Sequence, residues 1–270
     1  MKPRKMHLFV LLLFAVTVLR AQSVMYVHIE NVPKGTMIVL EDPMGISMSL
    51  LNDSINRDRT IYQLQQIGKY KISVQINSVE YGNDEMSLPF VVTGKENRVE
   101  ANLSFRKEKT NRSDWKCRDS LLGCNVCVKC FYKAPSEVSV KYVGAESGDY
   151  YEGQTPLFNI HNGSRDTLYG YWMDGYFWGT LKLLIGDTTI DIPSNIDLNF
   201  VYRPPLYPDS TTFATVGSFG RPIPRGDYRF NVLYATKRQS RGLRQAKEND
   251  KLRWRTIVQQ WYELSCDFSF

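Results

Sequence analysis

Apolar and polar residues alternate from Ser23 to Phe105 in short runs separated by turn formers. "VMYVHIENVP" alternates and then turns, and "GTMIVLEDPMG" is closed by Pro43 and Gly45. "RTIYQLQQIGKYKISVQINS" holds two runs broken at Gly68. "MSLPFVVTGKENRVEANLSF" gives two more, with Val99, Ala101, Leu103 and Phe105 on one face and Arg98, Glu100, Asn102 and Ser104 on the other. A period of two is that of a strand with one face buried. Six or seven such runs, with turn signals about every 8–12 residues, predict a β-sandwich over residues 22–106.

The pattern resumes after Pro135. "EVSVKYVG" alternates, "QTPLFNIHNGSRDTLYG" places Phe158 and Ile160 opposite Leu157, Asn159 and His161, and "GTLKLLIGDTTIDIP" reads as a hairpin turning at Gly186-Asp187. In the closing "WYELSCDFSF", Tyr262, Leu264, Cys266, Phe268 and Phe270 share one face. Helical periodicity is confined to "RQAKENDKLRWRTIVQQ". The expectation is an all-β chain of two sandwiches, at 22–106 and 136–270. A charged and then cysteine-rich stretch, 107–135, reads as a stapled connector.

Two segments share a local logic. "QQIGKYKISVQI" and "IPRGDYRFNVLY" both read Ile, Gly, a charged residue, Tyr, a basic residue and then an alternating strand. Gly68 and Gly226 are expected to supply a backbone shape costly for other residues where the chain crosses between sheets. Tyr70 and Tyr228 then pack their rings and bond their hydroxyls to nearby backbone, as in a tyrosine corner. The tripeptide Arg225-Gly226-Asp227, readable as an integrin adhesion signal, is explained by the same corner.

The first residues, "MKPRKMHLFVLLLFAVTVLRAQS", carry a basic lead, a 12-residue apolar run from Leu8 to Leu19 and a small residue at Ala21. That is the layout of a secretory signal peptide over 1–21. The run is shorter than the roughly 20 residues a membrane-spanning helix needs. Loss of Lys2, Arg4, Lys5 and Arg20 lowers the formal charge from +6 to +2, which removes the electrostatic case for nucleic acid. The expectation is a secreted, periplasmic or cell-surface protein with no stable membrane insertion after cleavage. The Asn-x-Ser sequons at Asn52, Asn102, Asn111 and Asn162 matter only in a eukaryotic secretory pathway.

"CRDSLLGCNVCVKC" brings Cys117, Cys124, Cys127 and Cys130 into 14 residues. In an exported chain the first reading is two disulfides closing a compact knuckle, with any of three pairings. A zinc ion on four thiolates is the second. An iron–sulfur cluster and a Cys-x-x-Cys redox pair follow, each lacking its usual sequence surroundings. Cys266 reads as a thiol in a strand core, with a bridge to the connector as its alternative.

"LYGYWMDGYFWG" crowds Tyr169, Tyr171, Trp172, Tyr176, Phe177 and Trp178 around Gly170, Asp174 and Gly175. It reads as a hairpin with rings on both faces, one for the core and one for a partner or a sugar. The candidate surface is Tyr169, Tyr171, Trp172, Asp174, Tyr176 and Trp178. Catalysis is hard to assemble: beyond the leader the histidines are His28 and His161, both in strand patterns, and no nucleophile elbow, zinc-protease motif or phosphate loop is present. Carboxylate pairs such as Glu41-Asp42 and Asp84-Glu85 sit in turn-like stretches.

The second region, with "YYEGQTPLFNIHNGSRDTLYG", "IPRGDYRFNV" and "WYELSCDFSF", resembles a bacterial immunoglobulin-like domain. The first, with "IGKYKISV", is similar to small fibronectin-III-like or transthyretin-like sandwiches of exported proteins. The leader ending in Ala-Gln, with Tyr- and Asn-rich strands, resembles exported proteins of Gram-negative anaerobes. The cysteine-rich stretch has no counterpart in that resemblance. What the resemblance implies is a non-catalytic binding or assembly protein of the cell envelope, meeting a protein partner or a glycan. A carbohydrate-binding accessory protein is the alternative, and a secreted hydrolase or protease-inhibitor-type sandwich the second.

Overall fold

The structure is a computed structural model, and it describes residues 20–51, 60–109, 120–147, 154–170, 177–194, 205–217, 219, 223–237, 243–245 and 252–270. The leader before Arg20, Cys117 and the residues 171–176 lie outside these. Every regular element among the described residues is a strand. In chain order they are β1 (Arg20–Glu30), β2 (Thr36–Glu41), β3 (Ser47–Ser49), β4 (Thr60–Gln66), β5 (Gly68–Ser78), β6 (Gly82–Val92), β7 (Glu96–Lys109) and β8 (Ser120–Lys133). There follow β9 (Val138–Ser147), β10 (Gln154–Asn162), β11 (Tyr169–Gly170), β12 (Gly179–Ile185), β13 (Thr188–Ile192), β14 (Ser210–Thr215), β15 (Asp227–Ala235), β16 (Leu243–Gln245) and β17 (Leu252–Ser269). The chain forms two units, the first holding residues up to Phe131 with 240–259, the second holding 132–239 with 260–270.

In the first unit the strands β4, β1, β7 and β8 are successive neighbours in one sheet, and β3, β2, β5 and β6 in another. Alternation does the sorting. Tyr70, Ile72, Val74 and Ile76 of β5 are buried with Met86, Leu88, Phe90 and Val92 of β6. On the other sheet Val99, Ala101, Leu103 and Phe105 are buried beside Met25 and Val27. Strand β7 runs parallel to β1, from Val24↔Arg98 to Glu30↔Ser104, while β4 is antiparallel to β1 on its other side. Pro89 falls on β6, which ends its sheet, where a missing N–H costs no ladder bond.

The second unit packs β14-β10-β9 against the sheet containing β13-β12-β15-β17. Phe158 of β10 stacks on Phe230 of β15 with centroids 3.8 Å apart, and Phe268 meets Phe158 edge-on at 5.1 Å. Cys266 and Phe268 lie half-buried against this core, in step with Tyr262 and Phe270. Asn162, at the end of β10, is fully buried and fully bonded. Its Nδ2 donates to the carbonyls of Asp166, Leu206 and Tyr207, and its Oδ1 accepts from the backbone and hydroxyl of Ser164. The Asn-Gly-Ser sequence there therefore clamps two loops onto β10.

Both tyrosine hydroxyls close onto the residue four positions earlier. Tyr70 donates to the carbonyl of Gln66 at 3.0 Å, and Tyr228 to that of Pro224 at 2.5 Å. Each bond sits where the chain leaves one sheet for the other, between β4 and β5 and between β14 and β15. The two glycines differ. Gly68 has φ +148°, and a β-carbon there would press into Pro43. Gly226 is not in the left-handed region, contrary to expectation; it exchanges two backbone bonds with Phe270 at 3.0 and 2.9 Å. Asp227 accepts from the Ser269 hydroxyl at 2.7 Å, so the Arg-Gly-Asp sequence opens a paired strand.

Two further expectations are corrected. Where a stapled connector is expected at 107–135, the chain supplies the end of β7 and all of β8. The stretch expected to hold helical turns contributes instead to β16 and β17, paired from Leu243↔Thr256 to Gln245↔Trp254. Leu252 and Trp254 are buried two residues apart, and the Trp254 indole donates to Asp84 at 2.7 Å. A period of two outweighed the charged, helix-favouring composition.

Asn162→Asp should destabilise the second unit by about 2–4 kcal/mol, because the new carboxylate faces three carbonyl oxygens. Desolvation and those oxygens raise the folded pKa of that carboxyl above its unfolded value of about 4. The sign follows: the loss is smallest below the unfolded pKa and deepens as pH rises through the folded one. Denaturant melts of the variant across pH check both size and direction.

Candidate functional site

The aromatic run of the second unit is rooted on the corner strand. β11 and β12 both run antiparallel to β15, with Gly170 opposite Tyr234 and Gly179 opposite Val232. Nine steps of chain thus separate residues whose partners are two apart. The strands flanking the run therefore point the same way along β15, and the residues 171–176, where the hairpin is expected, lie outside the described residues. Of the expected surface, Tyr169 and Trp178 are half-buried at the two roots. Tyr171, Trp172, Asp174 and Tyr176 lie outside the described residues.

The roots are built for close approach. A β-carbon on Gly179 would collide with the Phe230 ring and lie 2.7 Å from the carbonyl oxygen of Asn231. Gly179 therefore lets β12 close over the ring that Phe158 stacks on from the facing sheet. Phe177 enters the core directly beside it. Tyr234, opposite Gly170, is fully buried and stacks on Tyr262 at 5.4 Å. Its hydroxyl makes no hydrogen bond among the described groups, and burial pushes its pKa far up, with smaller pushes from Tyr262, Glu137 and Asp166. It stays protonated. The glycines at 170 and 179 were the signal in the sequence for this rooting, because they bracket the rings.

The cysteines separate along β8. An extended strand rises about 3.3 Å per residue, which places Cys124 and Cys130 about 20 Å apart, with Cys127 about 10 Å from each. A disulfide needs α-carbons within about 7 Å, and four sulfurs on one zinc lie within about 4 Å of one another. Cys124, Cys127 and Cys130 are thus neither bridged to one another nor able to share an ion, which corrects the knuckle for these three. Among the described residues no three His, Cys, Asp or Glu side chains gather to hold a metal. Cys124 and Cys130 point into the core, and Cys127 faces the other way with its thiol pKa pushed up, first by burial. A protonated thiol is a poor nucleophile.

The histidines are held by neighbours. His28 Nε2 lies 2.6 Å from Glu30, whose carboxyl is lowered first by that hydrogen bond. His161 Nδ1 lies 3.2 Å from the Thr211 hydroxyl. No helix among the described residues is long and apolar enough to cross a membrane.

Gly179→Ala should destabilise the second unit by about 1–3 kcal/mol, the usual cost of forcing an extra carbon into a packed core. Loss of the stacked ring environment should appear in near-ultraviolet circular dichroism as well as in the melting curve. Comparison of the chain with protein families, with curated proteins and with solved structures finds no match.

Proposed function

We propose that the chain is an exported, non-catalytic binding or assembly protein of the cell envelope, built from two immunoglobulin-like sandwiches. The strand orders support the fold reading. In that fold one sheet reads C′-C-F-G and the other A-B-E, with the corner tyrosine opening strand F. The second unit has β13-β12-β15-β17 and β9-β10-β14, with Tyr228 opening β15. The first has β3-β2-β5-β6, with Tyr70 opening β5. Its parallel β1–β7 pair is the departure from that order. Regular pairing of β1 with β4 runs from Ser23 onward, so removal of a leader after Ala21 leaves that ladder intact.

The recognition reading rests on the aromatic run. Nine steps of sequence, with Tyr171, Trp172, Asp174 and Tyr176 among them, join Gly170 to Gly179, while their partners on β15 are two residues apart. Rings not needed for strand pairing are the anchors protein interfaces and sugar platforms use. The surface is the run Tyr169–Trp178, and its partner is another protein or a second copy at the envelope.

Sedimentation equilibrium of the mature chain, with Trp172→Ser and Tyr176→Ser as the comparison, tests this. The expected result is a mass that rises with concentration, or a captured envelope protein, in the natural chain and not in the variant, with equal melting curves. Quenching of tryptophan emission by oligosaccharides would move the assignment to the sugar-binding alternative. Turnover of a substrate panel, lost on replacing one carboxylate, would overturn the non-enzymatic reading.

A further inference from the structure

A cleft of about 520 Å³ opens at one end of the first unit. Four stretches of chain form it: the turn between β1 and β2, the turn between β5 and β6, the end of β7, and Leu122 of β8. Small-molecule sites commonly enclose roughly 300–1,000 Å³. The cradle is fixed by backbone. Gly35, at φ +79°, accepts a hydrogen bond from Asn77 at 3.0 Å, and a β-carbon there would strike the Asn77 carbonyl. The second turn is tied by the Ser78 hydroxyl oxygen, which accepts from the backbone of Glu80 and Tyr81. The ends of these strands therefore hold the two turns side by side.

The polar groups of the cleft are unevenly satisfied. Lys107 pairs with Glu80 at 2.9 Å and lies over the Tyr81 ring, its ammonium 6.0 Å from the centroid. Tyr81 is buried, at 6 % exposure, and its hydroxyl lies near Glu80 and Lys107 without completing a hydrogen bond of good geometry. A ligand oxygen would complete the hydrogen bond this hydroxyl lacks. The Lys107 side chain is 66 % exposed, so moving it off the ring is cheap. Lys34 forms no ion pair with any described residue. Arg106 shares its field with Glu30 on the outer sheet face. With Glu80 neutralised by Lys107, the cleft keeps a positive excess, beside the amide of Asn31, the hydroxyl of Ser78 and the apolar floor of Pro33 and Phe105.

We propose that this cleft binds an anionic saccharide unit of the uronate class. The carboxylate takes Lys34, ring hydroxyls take Asn31, Ser78 and the Glu80–Tyr81 pair, and a sugar face lies on the apolar floor. Free hydroxyls need donors and acceptors together, and this wall supplies both; an anion alone would need only the cations. The site is independent of the aromatic run in the second unit, so either can fail without the other.

The test is nitrogen-15 amide mapping of the full mature chain titrated with glucuronate, glucose and acetate in turn. Glucuronate should shift the amides of Asn31, Lys34, Ser78, Glu80 and Tyr81, with glucose much weaker and acetate weaker still. Lys34→Glu, on an exposed side chain, should raise the glucuronate Kd about ten-fold with an unchanged melting curve, the size of a charge-assisted contact. Tyr81→Phe should raise it several-fold. Shifts scattered away from the cleft, equal responses to glucose and glucuronate, acetate reproducing the pattern, or full affinity in Lys34→Glu would each overturn the assignment.

Discussion

The hydrogen bond from a tyrosine hydroxyl to the carbonyl four residues earlier is the constraint on which each unit depends. At Tyr70 and at Tyr228 it closes the loop through which the chain changes sheets. A crossing loop has carbonyls with no ladder partner, and at Gln66 and Pro224 these are only partly shielded from solvent. The phenol satisfies one while its ring joins the core, as Tyr70 does against Phe90 at 5.6 Å. The bond also fixes which residue starts the next strand. A slip by one position would turn Ile72, Val74 and Ile76 to solvent, so register follows from the corner.

This gives each unit two unlike ends. At the corner end backbone and phenol are locked together. From there β5 runs roughly 30 Å to the turn at Ser78, and β15 about 25 Å to Ala235. At those far ends lie the cleft of the first unit and the roots of the aromatic run of the second. A strand held at its start carries loops at its finish, where sequence is freer to serve recognition. Gly179 and Gly35 belong to this economy, since each permits a backbone approach that fixes the loop beside it.

Much of the fold could be read from residues alone. Strict alternation identified β5, β7 and the end of β17, and the two Gly-Tyr segments identified the crossings. Gly226 departs from expectation: glycine before a corner suggests special dihedrals, whereas here it serves pairing with Phe270. The cysteines misled through composition: three of them at intervals of three look like a knuckle, while a strand puts Cys124 and Cys130 on one face and Cys127 on the other. The valines between them, Val126 and Val128, were the better signal, both fully buried in step with Cys124. Of the aromatic run, the structure describes only the roots, Tyr169–Gly170 and residues 177–179, and both lie along β15, a placement set by long-range pairing that the local sequence does not carry. The cleft was invisible, because Asn31, Lys34, Tyr81 and Lys107 meet only through long-range pairing.

The direct test is equilibrium unfolding of Tyr70→Phe and Tyr228→Phe, which keep the ring and delete the hydroxyl. Each should lower the stability of its own unit by about 0.5–1.5 kcal/mol, the net worth of a part-buried hydrogen bond. Unchanged or increased stability in both variants would contradict the account, for the crossings would then be held by packing alone.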